Sequence, residues 1–140
     1  MPVEDVARTD VRTAHRDQSA GNLATVMKEE NVGSVIIEND RRPVGIVTDR
    51  DLVLEVLEPR ADPKSVTAAD IMTETPVTID TDGGVFDAIR TLNEHSVRRL
   101  PVVDGDGLVA GIVTLDDLVV MLSDELDSLG DVIEAESPPY

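Results

Sequence analysis

Cysteine and tryptophan are absent from this chain, lysine occurs only at Lys28 and Lys64, and the aromatic side chains are Phe86 and Tyr140. Without thiols there is no disulfide, no thiolate nucleophile and no cysteine-ligated metal. With aromatics at 1 %, any core must be aliphatic, built from Val, Ile, Leu, Ala and Met. No run approaches the roughly 20 apolar residues of a membrane-spanning helix. The opening Met1-Pro2-Val3-Glu4-Asp5 is acidic and lacks the apolar run of a signal peptide. The expectation is a soluble, cytoplasmic protein.

What is abundant is negative charge. Acidic residues outnumber basic ones 29 to 12, for a formal net charge of −17, and ten of the twelve basic side chains are arginine. An acid-rich, lysine-poor surface suits a high-salt cytoplasm, where the Debye length falls to about 3 Å near 1 M salt and self-repulsion is screened. A halophilic protein is therefore expected. Nucleic acid and anionic membrane are poor partners for such a surface, since their binders present a basic face. Hydrophobic residues at 41 % still supply a core over 140 residues, enough for one domain or two small halves that pack on each other.

The chain repeats itself. Gly45-Ile46-Val47-Thr48-Asp49-Arg50-Asp51-Leu52 returns as Gly111-Ile112-Val113-Thr114-Leu115-Asp116-Asp117-Leu118. A shift of 65 residues also pairs Asp5 with Asp70, Thr13 with Thr78 and Asp17 with Asp82, as well as Glu29 with Glu94 and Val32 with Val97. Beyond the next turn the shift becomes 66, so one residue is inserted in that turn, where insertions are tolerated best.

Each copy reads as strand, helix, strand, strand, helix. The first runs through a strand at Arg12-Thr13-Ala14, a helix from about Asn22 to Glu30 and a strand from Ser34 to Ile37. A turn at Asn39 to Arg42, a return strand from Pro43 to Val47 and a closing helix from Asp49 to Leu57 complete it. In the second, Val77-Thr78-Ile79 is a short strand, and Asp82-Gly83-Gly84 precedes a helix with Val85, Ile89 and Leu92 on one face. Leu100 to Val103 is a buried strand, Asp104-Gly105-Asp106-Gly107 a turn, Leu108 to Val113 the return strand, and helix follows from Thr114. This divides the chain into copy 1 at 5–58, a proline-stiffened linker at 59–65, copy 2 at 66–123 and an acidic extension at 124–140. The extension prolongs the last helix, to about Ile133, before Pro138-Pro139 stops it.

With these motifs in hand, the chain resembles a tandem pair of cystathionine-β-synthase (CBS) motifs, the paired unit called a Bateman module. The two octapeptides carry the resemblance, supported by Asp70-Ile71-Met72-Thr73 and by Arg98-Arg99-Leu100-Pro101-Val102-Val103-Asp104 with its glycine turn. It covers the chain from about Asp5 to Ser123. It implies an α/β fold of two small sheets flanked by helices, related by a pseudo-two-fold axis with two clefts. It also implies pairing of such modules into a disc-shaped homodimer.

Thr48 and Thr114 stand where strand gives way to helix, with Asp51 and Asp117 three residues on. One reading is a helix cap in which Asp replaces the usual Glu or Gln. The other uses the same geometry for a ligand. A helix N-terminus with unpaired N–H groups accepts an anion, the Thr hydroxyl adds a donor, and an Asp one turn on can accept hydrogen bonds from a ribose diol. The resemblance implies the second role: similar modules bind AMP, ADP, ATP or other adenosyl ligands through these positions. Arg50, Arg98 and Arg99 are candidate phosphate partners or surface ion pairs, differently placed in the two copies, so the two sites should differ in affinity. Thr13, Ala14, Thr78, Ile79 and Pro101 complete the candidate ligand-binding set, as residues that could flank an adenine or belong to the core. Gly45 and Gly111 read as structural, admitting close approach of another backbone or of a ligand.

His15 and His95 lack metal-ligand spacing, and Asp104-Gly105-Asp106-Gly107 lacks the rest of a calcium loop. No metal site is expected. No Ser-His-Asp arrangement, phosphate loop with lysine or tuned carboxylate pair is present, so no catalysis and no required cofactor are expected. The function expected is a regulatory module that takes an adenosyl nucleotide and signals to a partner protein. Its rivals are a ligand-free dimerisation scaffold, in which the two threonines only cap helices, and a detached regulator of a nucleotide-metabolism enzyme.

Overall fold

In the computed structural model, which describes residues 1–137, the two copies form two sheets. The first copy contains β1 (Thr13–His15), α1 (Ala20–Glu30), β2 (Ser34–Asn39), β3 (Arg42–Thr48) and α2 (Asp49–Leu52), which continues as a π-helical turn over Val53–Leu57. There follow α3 (Ala68–Ile71), β4 (Thr73–Glu74), β5 (Ile79–Asp80) and α4 (Val85–His95). The chain then forms β6 (Arg99–Val103), β7 (Val109–Thr114) and the long α5 (Leu115–Glu136). Helix α5 carries through the expected end at Ile133 to Glu136; Pro138 and Pro139 lie outside the described residues.

Local chemistry explains the element ends. The Ser19 hydroxyl accepts from the Asn22 N–H to start α1, and α1 and α4 both stop at left-handed residues, Asn31 and Ser96. The β2–β3 hairpin turns through Asp40 and Arg41, both at positive φ, the two-residue turn that matches strand twist. The β6–β7 turn is longer: Asp104 Oδ1 accepts from the N–H groups of Asp106 and Leu108, and Gly107 takes φ +79°. That difference is the inserted residue seen in the repeat.

The first sheet has the order β1-β2-β3-β4 and the second β5-β6-β7. In each, the short first strand lies parallel to the next and the hairpin is antiparallel. Each sequence copy sends its leading segment to the other sheet. Val3 packs with Val85, Leu100 and Val102 of the second copy, and Arg8 bridges Ile112 beside β7. Conversely, Ala68, Ile71 and Met72 pack with Leu23, Ile37 and Val47 of the first, and β4 pairs with β3. The exchange is two-fold in detail: Val3 N–H donates to Gly83 O at 2.7 Å and Ala68 N–H to Gln18 O at 2.8 Å. Each half is thus completed by chain from the other, which fits the small area a lone half would bury. A third apolar group, Ile36, Val109 and Ile112 with Val11 and Ile46, joins the two sheets.

Candidate functional site

Ile36 and Ile112 also line a cleft of about 730 Å³ at this junction, within the roughly 300–1,000 Å³ of small-molecule sites. Thr48 and Thr114 both reach it, so the two helix-start motifs open into one shared cleft rather than facing separate ones. A smaller hollow of about 220 Å³, lined by Thr13, Glu38, Arg41 and Val109 among others, lies elsewhere on the sheet junction.

At both helix starts the cap is fully formed. The Thr48 hydroxyl oxygen accepts from the Asp51 N–H at 3.1 Å while Asp51 Oδ2 accepts from the Thr48 N–H at 2.8 Å. At Thr114 and Asp117 the same pair of bonds measures 3.1 and 3.3 Å. The box does not exhaust either residue. Each Thr hydroxyl keeps its own proton to donate, and each Asp keeps its second oxygen to accept. Capping and ligand binding are therefore compatible uses of the same two side chains.

The two starts differ around that common frame. Asp51 Oδ1 has no partner among the described residues, whereas Asp117 Oδ1 meets Arg8 at 3.4 Å. The Arg50 N–H donates to the Asp49 carboxylate at 2.8 Å, so a carboxylate already sits at the first helix start. Leu115 replaces Asp49 in the second copy and leaves the Asp116 N–H without such a neighbour.

Positive charge is concentrated here. Arg8, Arg12, Arg50, Arg98 and Arg99 all line the cleft, against the carboxylates of Asp10, Glu30, Asp49 and Asp116. Five of the chain's ten arginines thus give the cleft a small positive balance within a molecule of net charge −17. Arg12 donates to Glu29 at 2.9 Å and reaches Glu30 at 3.4 Å; the Glu29 bond foremost raises its pKa. Arg98 reaches Asp116 at 3.4 Å. Arg50 and half-buried Arg99 have no carboxylate partner among the described residues. Gly33 stands where the second copy has Arg98; a Cβ there would come within 3.2 Å of an Asp49 carboxylate oxygen and 3.9 Å of the Arg99 guanidinium.

Thr48, Thr114, Arg50, Arg98 and Arg99 line the cleft, whereas Asp51 and Asp117, one turn further along their helices, are not among its lining residues. The remaining candidates lie apart. Ala14 and Ile79 are buried in the two separate cores and Pro101 is fully buried; none of the three lines the cleft. Thr13 faces the smaller hollow, and Thr78 is half-buried just before β5. Arg8, by contrast, enters through the exchanged leading segment, which no local motif marks, and Arg12 stands just before β1 in its own half, bonded to Glu29 and Glu30 of α1. Among the described residues, no three His, Cys, Asp or Glu side chains gather as metal ligands, and no helix is long and apolar enough to cross a membrane.

The CBS domain family matches residues 3–58 and 68–124, and the chain belongs to that family as a CBS pair. It is 39 % identical over 120 residues to an uncharacterized protein of Methanopyrus kandleri, covering 85 % of this chain and 61 % of that one. In three dimensions it is similar to the CBS domain pair of protein MJ0100 in complex with 5′-methylthioadenosine and S-adenosyl-L-methionine. That similarity has a TM-score of 0.80 and 25 % identity, covering 89 % of this chain and 98 % of that one. It is likewise similar to Hypoxic Response Protein I with two coordinated zinc ions, with a TM-score of 0.76 and 29 % identity over 85 % and 97 % of the chains.

Proposed function

We propose that this CBS pair is a non-catalytic regulatory module that binds an adenosyl nucleotide in the shared cleft and passes its occupancy to a partner protein. The observation that carries this reading is the gathering of five arginines in one cleft of an otherwise strongly acidic molecule. A surface made only for solvation in salt has no use for such a cluster, whereas phosphate groups do. The adenosyl ligands of the MJ0100 pair support the same chemical class.

In this reading, phosphate lies against the Thr48 and Thr114 hydroxyls with Arg50 and Arg99, and ribose hydroxyls reach past the cleft lining to the second carboxylate oxygens of Asp51 and Asp117, the latter already met by Arg8. Arg8 competes with ribose for Asp117, so the first helix start is the tighter site. Helix α5 begins at the Thr114 cap and runs without interruption to Glu136. A shift of its first turn is therefore carried along a rod of about 33 Å, at 1.5 Å per residue. Ligand moves this rod only insofar as it binds two of its positions with different affinity.

The test is thermal unfolding in molar KCl with AMP, ADP, ATP, S-adenosylmethionine or 5′-methylthioadenosine. A ligand of this site at 100 times its Kd adds about 2.7 kcal/mol to folding stability, and the melting temperature should rise accordingly. Melting indifferent to all five, with no binding in equilibrium dialysis, would leave the ligand-free scaffold as the better description.

A further inference from the structure

The charges along the cleft are ordered, and their order bears on how long a phosphate chain it takes. A ribose held by the spare oxygen of Asp51, which has no partner among the described residues, directs its 5′-substituent past Thr48. The next side chain there is Asp49, exposed, with one carboxylate oxygen fixed by the Arg50 N–H at 2.8 Å. Leu115 stands at the same place in the second copy, so this acid is particular to the first helix start. A carboxylate beside the entry of a phosphate needs an explanation.

Arg99 supplies it. The Asp49 Oδ2 and an Arg99 Nη2 lie 3.2 and 3.9 Å from the point where a Cβ on Gly33 would stand. No ion pair joins them, and Arg99 keeps its guanidinium without a carboxylate partner among the described residues. Arg98, its neighbour in the chain, also lines the cleft. An anion that passes Thr48 thus meets a carboxylate first and guanidinium groups just beyond.

That order treats short and long phosphate chains differently. A monophosphate ends beside Asp49, where its charge of about −1.5 to −2 at pH 7 is opposed. The first phosphate of a longer chain is an internal group with a single charge. Its further phosphates reach Arg99 and Arg98, whose planar forks match them. Resting on the adenosyl-nucleotide reading of this cleft, we infer that its tighter position takes an adenosine 5′-di- or triphosphate, with phosphates running from Thr48 past Asp49 to Arg99. Asp49 selects against the monophosphate, and Arg99 rewards the longer chain.

Calorimetric titration of the full chain in molar KCl with AMP, ADP, ATP and S-adenosylmethionine tests this. Wild type should bind ATP at least about 10-fold more tightly than AMP. Arg99→Gln should weaken ATP by about 10-fold or more and AMP by less than about threefold. Asp49→Asn keeps an acceptor for the Arg50 N–H but loses the charge. It should strengthen AMP binding at least about threefold more than ATP binding, even where the Debye length is about 3 Å. Urea unfolding without ligand checks that each variant is folded, and exposed Asp49 provides the test should Arg99→Gln disturb β6. AMP bound as tightly as ATP by wild type, or an ATP-to-AMP ratio unmoved by Asp49→Asn, would overturn the assignment. S-adenosylmethionine bound with ATP refused would overturn it as well, while the adenosyl reading survived. Refusal of all four ligands would remove both.

Discussion

Asp51→Asn together with Asp117→Asn should abolish most nucleotide binding while leaving the fold almost untouched. Asparagine keeps a side-chain oxygen to accept from the Thr48 or Thr114 N–H, so each cap persists. The other carboxylate oxygen becomes an NH2 group, which presents donors to a diol that needs an acceptor. Hydrogen bonds to a charged group contribute about 1.5–3 kcal/mol, so affinity at each site should fall by roughly 10- to 100-fold. Stability without ligand should fall by only about 1 kcal/mol, through the lost negative charge at two helix N-termini and the exposed Arg8–Asp117 pair. Calorimetric titration and thermal unfolding of the same variant separate the two effects. Unchanged affinity would reduce both aspartates to helix caps.

The second large effect is on folding. Gly111→Ala places a Cβ against the backbone carbonyl of Arg8, which is itself held by the Ile112 N–H at 3.0 Å and cannot withdraw without breaking that bond. The loss should be about 3 kcal/mol or more, at the upper end of overpacking changes. Gly45→Ala meets the side chain of Met72 instead. Another rotamer withdraws the Met72 thioether and Cγ but leaves its Cβ at 3.0 Å, so a smaller loss of about 1–2 kcal/mol is expected there. Urea unfolding of the two variants measures the difference. Equal losses would mean that the exchanged Arg8 segment is not held against β7 as described. The pair of glycines in the repeated octapeptide thus serves the docking of the exchanged segments, one faced by backbone and the other by a side chain.

Much of this architecture could be read from the residues. Two octapeptides 66 positions apart, each ending a β-strand and opening a helix, defined the two copies and their element order, because period-2 and helical patterning act over a few residues. The Thr48–Asp51 and Thr114–Asp117 caps were legible for the same reason. The division into copies was less informative about packing. Val3 and Ala68 each complete the core of the other half, and nothing in their own neighbourhoods indicates the exchange. Arg8 reached the cleft by that same route.

The sequence alone determined which local structures could form and how much charge the molecule carries: an aliphatic pair of repeats, capped helices and a net charge of −17. Only the tertiary structure decided that both helix starts open into one cleft, that five arginines converge on it, and that the apolar face of α5 is left uncovered. The reason is physical. Propensity, capping and turn chemistry depend on neighbours a few residues apart, whereas a cleft and an exposed apolar face depend on how segments distant along the chain are brought together by burial of apolar surface.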